Sequence, residues 1–118
     1  KPHINAFHKA ASCVIGEGDT MVLPDVPATI FEGEAELALI MGKPAKNVSQ
    51  GDAMKHIFGY TCFIDGSVRD FQKQSVTAGK NFPATGPLGP WMVTTDVIPD
   101  PQKLELTTRL NGQPSAIF

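Results

Sequence analysis

Glu34, Glu36 and Asp65 are the residues of this chain whose types and spacing best suit chemistry. They lie in Glu34-Ala35-Glu36-Leu37-Ala38-Leu39-Ile40-Met41-Gly42-Lys43 and in Asp65-Gly66-Ser67-Val68-Arg69-Asp70-Phe71-Gln72. In an extended strand, side chains two apart project to the same face. Glu34 and Glu36 would then stand side by side, with Ala35, Leu37 and Leu39 packed behind them. Adjacent carboxylates repel, and a semi-buried strand keeps such a pair only where a cation or a proton settles the charge. A hard divalent ion such as Mg²⁺ does this, and Asp65 could supply a third oxygen. The plainer alternative is a solvated strand face, which is what Glu-x-Glu on a strand usually marks.

The elements that must hold these residues read as strands and turns, with little helix. Ser12 to Ile15 has the pattern of a strand, closed by Gly16-Glu17-Gly18-Asp19, and Thr20 to Leu23 reads as its hairpin partner. Pro24 and Pro27 bracket a loop leading to a strand at about Ile30 to Met41, which Gly42-Lys43-Pro44 ends. Ser49 to Phe58 is the clearest helix candidate: Ser49 can cap it, Asp52 suits its first turn, and Ala53, Ile57 and Met54 make an apolar face. Tyr60 to Ile64 reads as a short buried strand ending at Asp65. Ser67 is placed to cap a helical turn in which Arg69 and Gln72, three apart, share a face. Lys80 to Pro90 reads as a Gly/Pro-rich loop, Trp91 to Thr95 as strand-like, and Leu104 to Leu110 alternates as a half-buried strand does. Asn111-Gly112 is a strong hairpin signal, and the tail after it is short and carries Pro114, so the natural protein is expected to continue. These signals define a mixed fold dominated by β structure.

The 118 residues suffice for one domain or part of one, and 42% hydrophobic content is ordinary for a folded chain. A net charge of −2 gives no electrostatic reason to expect nucleic acid or an anionic membrane as partner. No apolar run approaches membrane-spanning length, and the residues from Lys1 onward do not read as a signal peptide. Cys13 and Cys62 form neither a zinc spacing nor a CxxC motif, and their apolar neighbours suggest buried free thiols in a reducing compartment. His3, His8 and His56 lack ligand spacing with one another, and His56 reads as structural.

Taken in order, these segments resemble the fumarylacetoacetate hydrolase family. The resemblance is carried by Phe7-His8-Lys9, by Ser12-Cys13-Val14-Ile15-Gly16, and by Glu34-x-Glu36-Leu37 running into Met41-Gly42-Lys43. It continues through Gly59-Tyr60-Thr61, Asp65-x-x-x-Arg69-Asp70-x-Gln72, Gly79-Lys80-Asn81-Phe82, Gly86-Pro87-Leu88-Gly89-Pro90-Trp91 and Leu110-Asn111-Gly112-Gln113. Each piece is weak alone, but the ordered set covers nearly the whole chain and is highly specific.

The resemblance implies a β-roll with short helices, an α+β fold that is mainly β. It implies Mg²⁺ or Mn²⁺ held by Glu34, Glu36 and Asp65, with Arg69 and Gln72 contacting substrate and Lys80 stabilising negative charge on metal-bound oxygens. The Glu-Leu before Met41-Gly42-Lys43 sets the register, so the ligand pair is Glu34 and Glu36, not Glu32 and Glu34. Glu32 shares their face as a supporting or solvated carboxylate. The family's general-base histidine and its partner glutamate usually lie on a mobile lid before the segment where this chain starts, and its Gly/Thr-rich closing segment lies beyond the end. Residues 1–118 are therefore expected to be a fragment of the catalytic domain. Pro83-Ala84-Thr85 departs from the family's usual polar pattern.

The implied activity is divalent-metal-dependent hydrolysis of a C–C bond in a small acylpyruvate-like or other 1,3-dicarbonyl 2-oxo acid. Stabilising an enolate serves hydrolysis, decarboxylation and tautomerisation alike. The alternatives are accordingly a 2-oxo-acid decarboxylase, or an isomerase or hydratase of unsaturated 2-oxo diacids from aromatic catabolism. A non-catalytic metal-binding relative is the reading from another class. A cytoplasmic homodimer acting on a small molecule, with neither nucleic acid nor membrane as partner, completes the expectation.

Overall fold

A computed structural model describes residues 5–117; of Ala116 and Ile117 only the backbone is considered. Lys1, His3 and Phe118 lie outside the described residues. Among the described residues, six strands carry the fold: β1 (Val14–Ile15), β2 (Phe31–Met41), β3 (Ile57–Val68), β4 (Gly86–Thr94), β5 (Thr107–Leu110) and β6 (Gln113–Ile117). Among the same residues there are one short helix, α1 (Val76–Lys80), and four 3₁₀ turns. β1, β4, β3 and β2 form a four-stranded sheet in that order, with β1 parallel to β4, Val14 opposite Gly86. β5 and β6 pair antiparallel as a separate two-stranded ribbon. The chain divides into two compact units, one made of the residues up to Glu34 with Ile64–Leu88, the other of Ala35–Phe63 with the chain from Gly89 onward.

The first unit holds the residues of chemical interest. Cys13 and Val68 are buried in it, and Phe71 meets Phe82 edge to face with ring centroids 5.4 Å apart. Ser75 caps α1 by accepting from the Ala78 backbone N–H at 3.0 Å. Asn81, just past the helix, ties it to the early chain: its Oδ1 accepts from the Ala10 N–H at 2.6 Å and its Nδ2 donates to the His8 carbonyl at 2.8 Å. The start of β2 is pinned to the turn after β3. Asp70 accepts from the backbone N–H groups of Thr29 (2.8 Å) and Ile30 (3.1 Å), and the Arg69 N–H donates to the Ile30 carbonyl at 3.0 Å.

In the second unit Tyr60 is buried, and the Thr61 hydroxyl donates to the Trp91 carbonyl at 3.0 Å. A side chain at Gly59 would stand 2.5 Å from the Val93 carbonyl oxygen, so only glycine lets the backbones approach this closely. The β5–β6 ribbon turns at Asn111 (φ 51°) and Gly112 (φ 79°), the left-handed pair that an Asn-Gly hairpin turn requires. A bulge between Thr108 and Arg109 shifts the register ahead of Pro114, whose missing N–H cannot complete a regular ladder.

Several elements differ from the sequence reading. Thr20 to Leu23 is not a strand, and β1 finds its partner in β4, far along the chain. The helix expected over 49–58 is reduced to a 3₁₀ turn at Ala53–His56. The Ser49 hydroxyl donates to the Asp52 carboxylate at 2.7 Å instead of capping a helix, Gly51 weakens the first turn, and Ile57 and Phe58 are drawn into β3. Lys80 closes a helix, and β4 begins at Gly86 instead of Trp91. Cys13 is buried as expected but Cys62 is exposed, and both are free thiols.

Asp70 illustrates how local capping sustains this frame. Hydrogen bonds from the Thr29 and Ile30 N–H groups hold its carboxyl below its ordinary value of 3.8. Its stabilising effect is therefore complete above pH 3.8 and lost as pH falls through the lower native value. Asp70→Ala is expected to melt earlier than wild type at neutral pH, with the gap closing at successive pH values below 3.8 in scanning calorimetry.

Candidate metal centre

Glu34 stands on β2 and Asp65 on β3, both in the first unit, and Glu36 follows two residues along β2. Each offers one carboxylate oxygen such that the three lie within 4.8 Å of one another. Asp65 is 1% exposed and Lys80 4%, a burial that charged groups tolerate only when paired. Lys80 Nζ reaches Glu34 Oε1 at 2.6 Å, the Ser67 hydroxyl at 2.7 Å and Asp65 Oδ2 at 2.7 Å, and lies 5.5 Å from the centre of the Phe7 ring. Lys9 Nζ donates to Asp65 Oδ1 at 2.7 Å and to the Lys80 carbonyl at 2.6 Å. Within this unit Glu32, Glu34 and Asp65 thus face Lys9, Arg69 and Lys80, three charges against three.

Glu34 Oε1 also receives the Ser67 hydroxyl at 2.8 Å and Arg69 Nη2 at 2.6 Å. Burial pushes the Glu34 carboxyl up, but hydrogen bonds from Lys80 and Ser67 and the charges of Lys80 and Arg69 outweigh it and leave the group below its ordinary value of 4.5. Glu34 is thereby kept anionic, the form a metal ligand needs. Arg69 Nε donates to Glu32 Oε2, and that bond, outweighing partial desolvation, raises the guanidinium pKa further. Arg69 Nη1 donates to Gln72 Oε1 at 3.2 Å, so the two share a face as their three-residue spacing predicts, while Gln72 Nε2 is buried without a hydrogen-bond partner. Gln72 packs where a side chain at Gly79 would come within 2.3 Å of its Cγ.

The donor chemistry fits a hard divalent ion. Carboxylate oxygens already within 4.8 Å of one another are close enough for side-chain adjustment to bring them onto one such ion. Asp65 Oδ2 is buried and, although beside Lys80 Nζ, accepts no well-directed hydrogen bond, so its lone pairs have capacity left. Two contributors escaped the sequence reading. Ser67 was assigned to a helix cap; the turn that follows is instead capped at Val68 without a side-chain bond, and the Ser67 hydroxyl links Glu34 to Lys80. Its position two residues after Asp65 on one strand was the available signal. Lys9, 56 residues from its partner, left no local signal.

Acidic side chains on two strands, gathered with a buried lysine on a mainly β fold with short helices, are the features that comparison with known proteins has to explain. The chain belongs to the fumarylacetoacetate hydrolase family: the family model described as "Fumarylacetoacetate (FAA) hydrolase C-terminal" matches residues 1–116. It is 42% identical over 110 residues to a mitochondrial oxaloacetate tautomerase of Xenopus laevis, covering 90% of this chain and 34% of that protein. Among solved structures it resembles a 5-carboxymethyl-2-hydroxymuconate delta-isomerase from Mycobacterium smegmatis (TM-score 0.82, 37% identity, 91% of this chain and 42% of that one). It also resembles a maleylpyruvate hydrolase from Sphingobium sp. SYK-6, solved with manganese(II) and pyruvate (TM-score 0.83, 33% identity, 93% and 40%). The chain therefore spans well under half the length of these relatives. Among the described residues, no helix is long and apolar enough to cross a membrane.

Gly66, between Asp65 and Ser67, is where backbone packing and site geometry meet. A Cβ there would stand 2.2 Å from the Thr85 carbonyl oxygen, which already accepts the Gly66 N–H at 2.9 Å. Gly66→Ala is expected to force β3 away from Thr85, costing about 1–3 kcal/mol in urea unfolding.

Proposed function

We propose that this chain carries the metal cradle of an enzyme that interconverts the keto and enol forms of a small 2-oxo acid, with Mg²⁺ or Mn²⁺ held by Glu34, Glu36 and Asp65. The observation that carries the reading is the carboxylate cluster, with oxygens within 4.8 Å, backed by the buried Lys80 ammonium. When bound, the ion would act as a Lewis acid that stabilises the negative charge developing on the substrate's keto oxygen. Arg69, partly exposed at the cluster's edge, exchanges its contact with Glu32 for the substrate carboxylate, which a guanidinium can grip with two parallel hydrogen bonds. Gln72 Nε2, buried and unpartnered, donates to a substrate oxygen. Lys80, already ammonium-to-carboxylate with Glu34 and Asp65, adds positive charge beside the oxygen where the enolate forms. The net change is a proton lost from carbon and one gained at oxygen, and we assign its removal to a base outside these residues, on the lid that the family resemblance implies.

Enolisation is preferred to C–C hydrolysis because the Xenopus laevis relative, at 42% identity, is a tautomerase. Hydrolysis of an acylpyruvate is the second reading, favoured by the likeness to a maleylpyruvate hydrolase solved with pyruvate. Both need the same stabilised enolate, and hydrolysis adds only attack of water on the departing acyl group.

The test is calorimetric titration of Mg²⁺ and Mn²⁺ into wild type and into Glu34→Ala, Glu36→Ala and Glu32→Ala, followed by ultraviolet assay of oxaloacetate enol–keto interconversion and of acid release from an acylpyruvate. Metal binding and turnover are expected to disappear with Glu34→Ala and Glu36→Ala and to survive Glu32→Ala. A wild type that binds no metal, or a loss confined to Glu32→Ala, would overturn the assignment. Acid release without tautomerisation would select the hydrolase reading.

A further inference from the structure

Every nitrogen of the Arg69 guanidinium is engaged. Nε donates to Glu32 Oε2, Nη2 meets Glu34 Oε1 at 2.6 Å, and Nη1 donates to Gln72 Oε1 at 3.2 Å. Nε and Nη2 form one edge of the group, spaced for the two oxygens of a single carboxylate. Here that edge carries one oxygen from each of two glutamates. Glu32 and Glu34 stand two apart on β2 and so reach it from the same strand face. Between them they present to Arg69 what the carboxylate of an incoming acid would present.

The two glutamates are not equally free to leave. Glu34 Oε1 is also held by the Lys80 ammonium at 2.6 Å and by the Ser67 hydroxyl at 2.8 Å. The Glu32 carboxylate, among the described residues, is bonded to Arg69 alone, and its side chain is 48% exposed. Water therefore receives it on release. An ion pair as open as this one contributes little, because water competes for both partners. Arg69 is itself 36% exposed, so its occupied edge can be reached from solvent.

We infer that Glu32 is a built-in competitor for the substrate: it fills the carboxylate-binding edge of Arg69 in the unliganded protein, and an acid binds by displacing it. The inference rests on the 2-oxo acid reading proposed above and adds to it a residue that sets the affinity. The exchange conserves charge at Arg69, since one carboxylate takes the place of another while Glu32 goes to water. An uncharged carbonyl compound offers no such trade, because it would replace an ionic partner of the guanidinium with a neutral one. Glu32 is thus a positioning residue that acts through Arg69.

Calorimetry of pyruvate binding with Mg²⁺ present, on the intact wild type and on Glu32→Gln, tests this. The substitution keeps the size of a half-exposed side chain and removes its charge. Glu32→Gln is expected to bind pyruvate about two- to fivefold more tightly than wild type. A second readout is the Arg69 Nε–H signal in nitrogen-15 spectra, assigned by its absence from Arg69→Lys. That signal is expected to move when pyruvate is added to wild type, as Glu32 is displaced. Equal or weaker binding by Glu32→Gln would overturn the inference, since Glu32 would then be idle or would steady Arg69. Tighter binding with the Arg69 signal unmoved would overturn it too, leaving plain repulsion between Glu32 and the anion. In both cases Mg²⁺-dependent binding of pyruvate by wild type would leave the 2-oxo acid reading standing. A wild type that binds no pyruvate would overturn both.

Discussion

The buried ammonium of Lys80 is the group around which the first unit is arranged. Taking an ammonium and a carboxylate out of water costs several kcal/mol for each ion, and only close pairing with well-placed hydrogen bonds offsets it. Here the lysine reaches two carboxylates and a hydroxyl at 2.6–2.7 Å, and Lys9 covers the other oxygen of Asp65. Those contacts draw the end of α1, the middle of β3, the start of β2 and the early chain at Lys9 to a single point. Removing any one partner would leave a desolvated charge behind, so the arrangement is mutually enforced.

That constraint explains why small backbone features recur near the cluster. Gly66 lets β3 approach Thr85, Gly79 lets α1 approach Gln72, and Asp70 fastens the residues leading into β2. None of these touches the carboxylate oxygens. Each sets where the strand or turn carrying a charged side chain must lie, to the fraction of an ångström that ion pairs and metal ligands require.

A tautomerase, an isomerase and a hydrolase are all among the proteins this chain resembles. Under the function proposed here, one cluster would serve all three reactions, because cationic side chains beside Glu34 and Asp65 would favour negative charge on a substrate oxygen whatever happens to the rest of the molecule. Selection among substrates would then fall to the side chains around the cluster.

Local patterns in the sequence determined a good part of this. The two-residue spacing of Glu34 and Glu36 placed them on one face of β2 because strand geometry is strictly alternating, and Asn111-Gly112 marked its hairpin because its left-handed turn excludes most other pairs. The three-residue spacing of Arg69 and Gln72 likewise placed them on one face. The ordered motifs identified the family. What the sequence could not decide was every feature set by partners distant along the chain. β1 took β4 as its neighbour instead of the adjacent Thr20 to Leu23, Ile57 and Phe58 joined β3 instead of a helix, and Ser67 turned to Glu34 and Lys80 instead of capping the next turn. Lys9 reached Asp65 across 56 residues with no local trace. Local propensities differ by a fraction of a kcal/mol per residue, whereas satisfying a buried charge is worth several, so tertiary structure decided wherever the two competed.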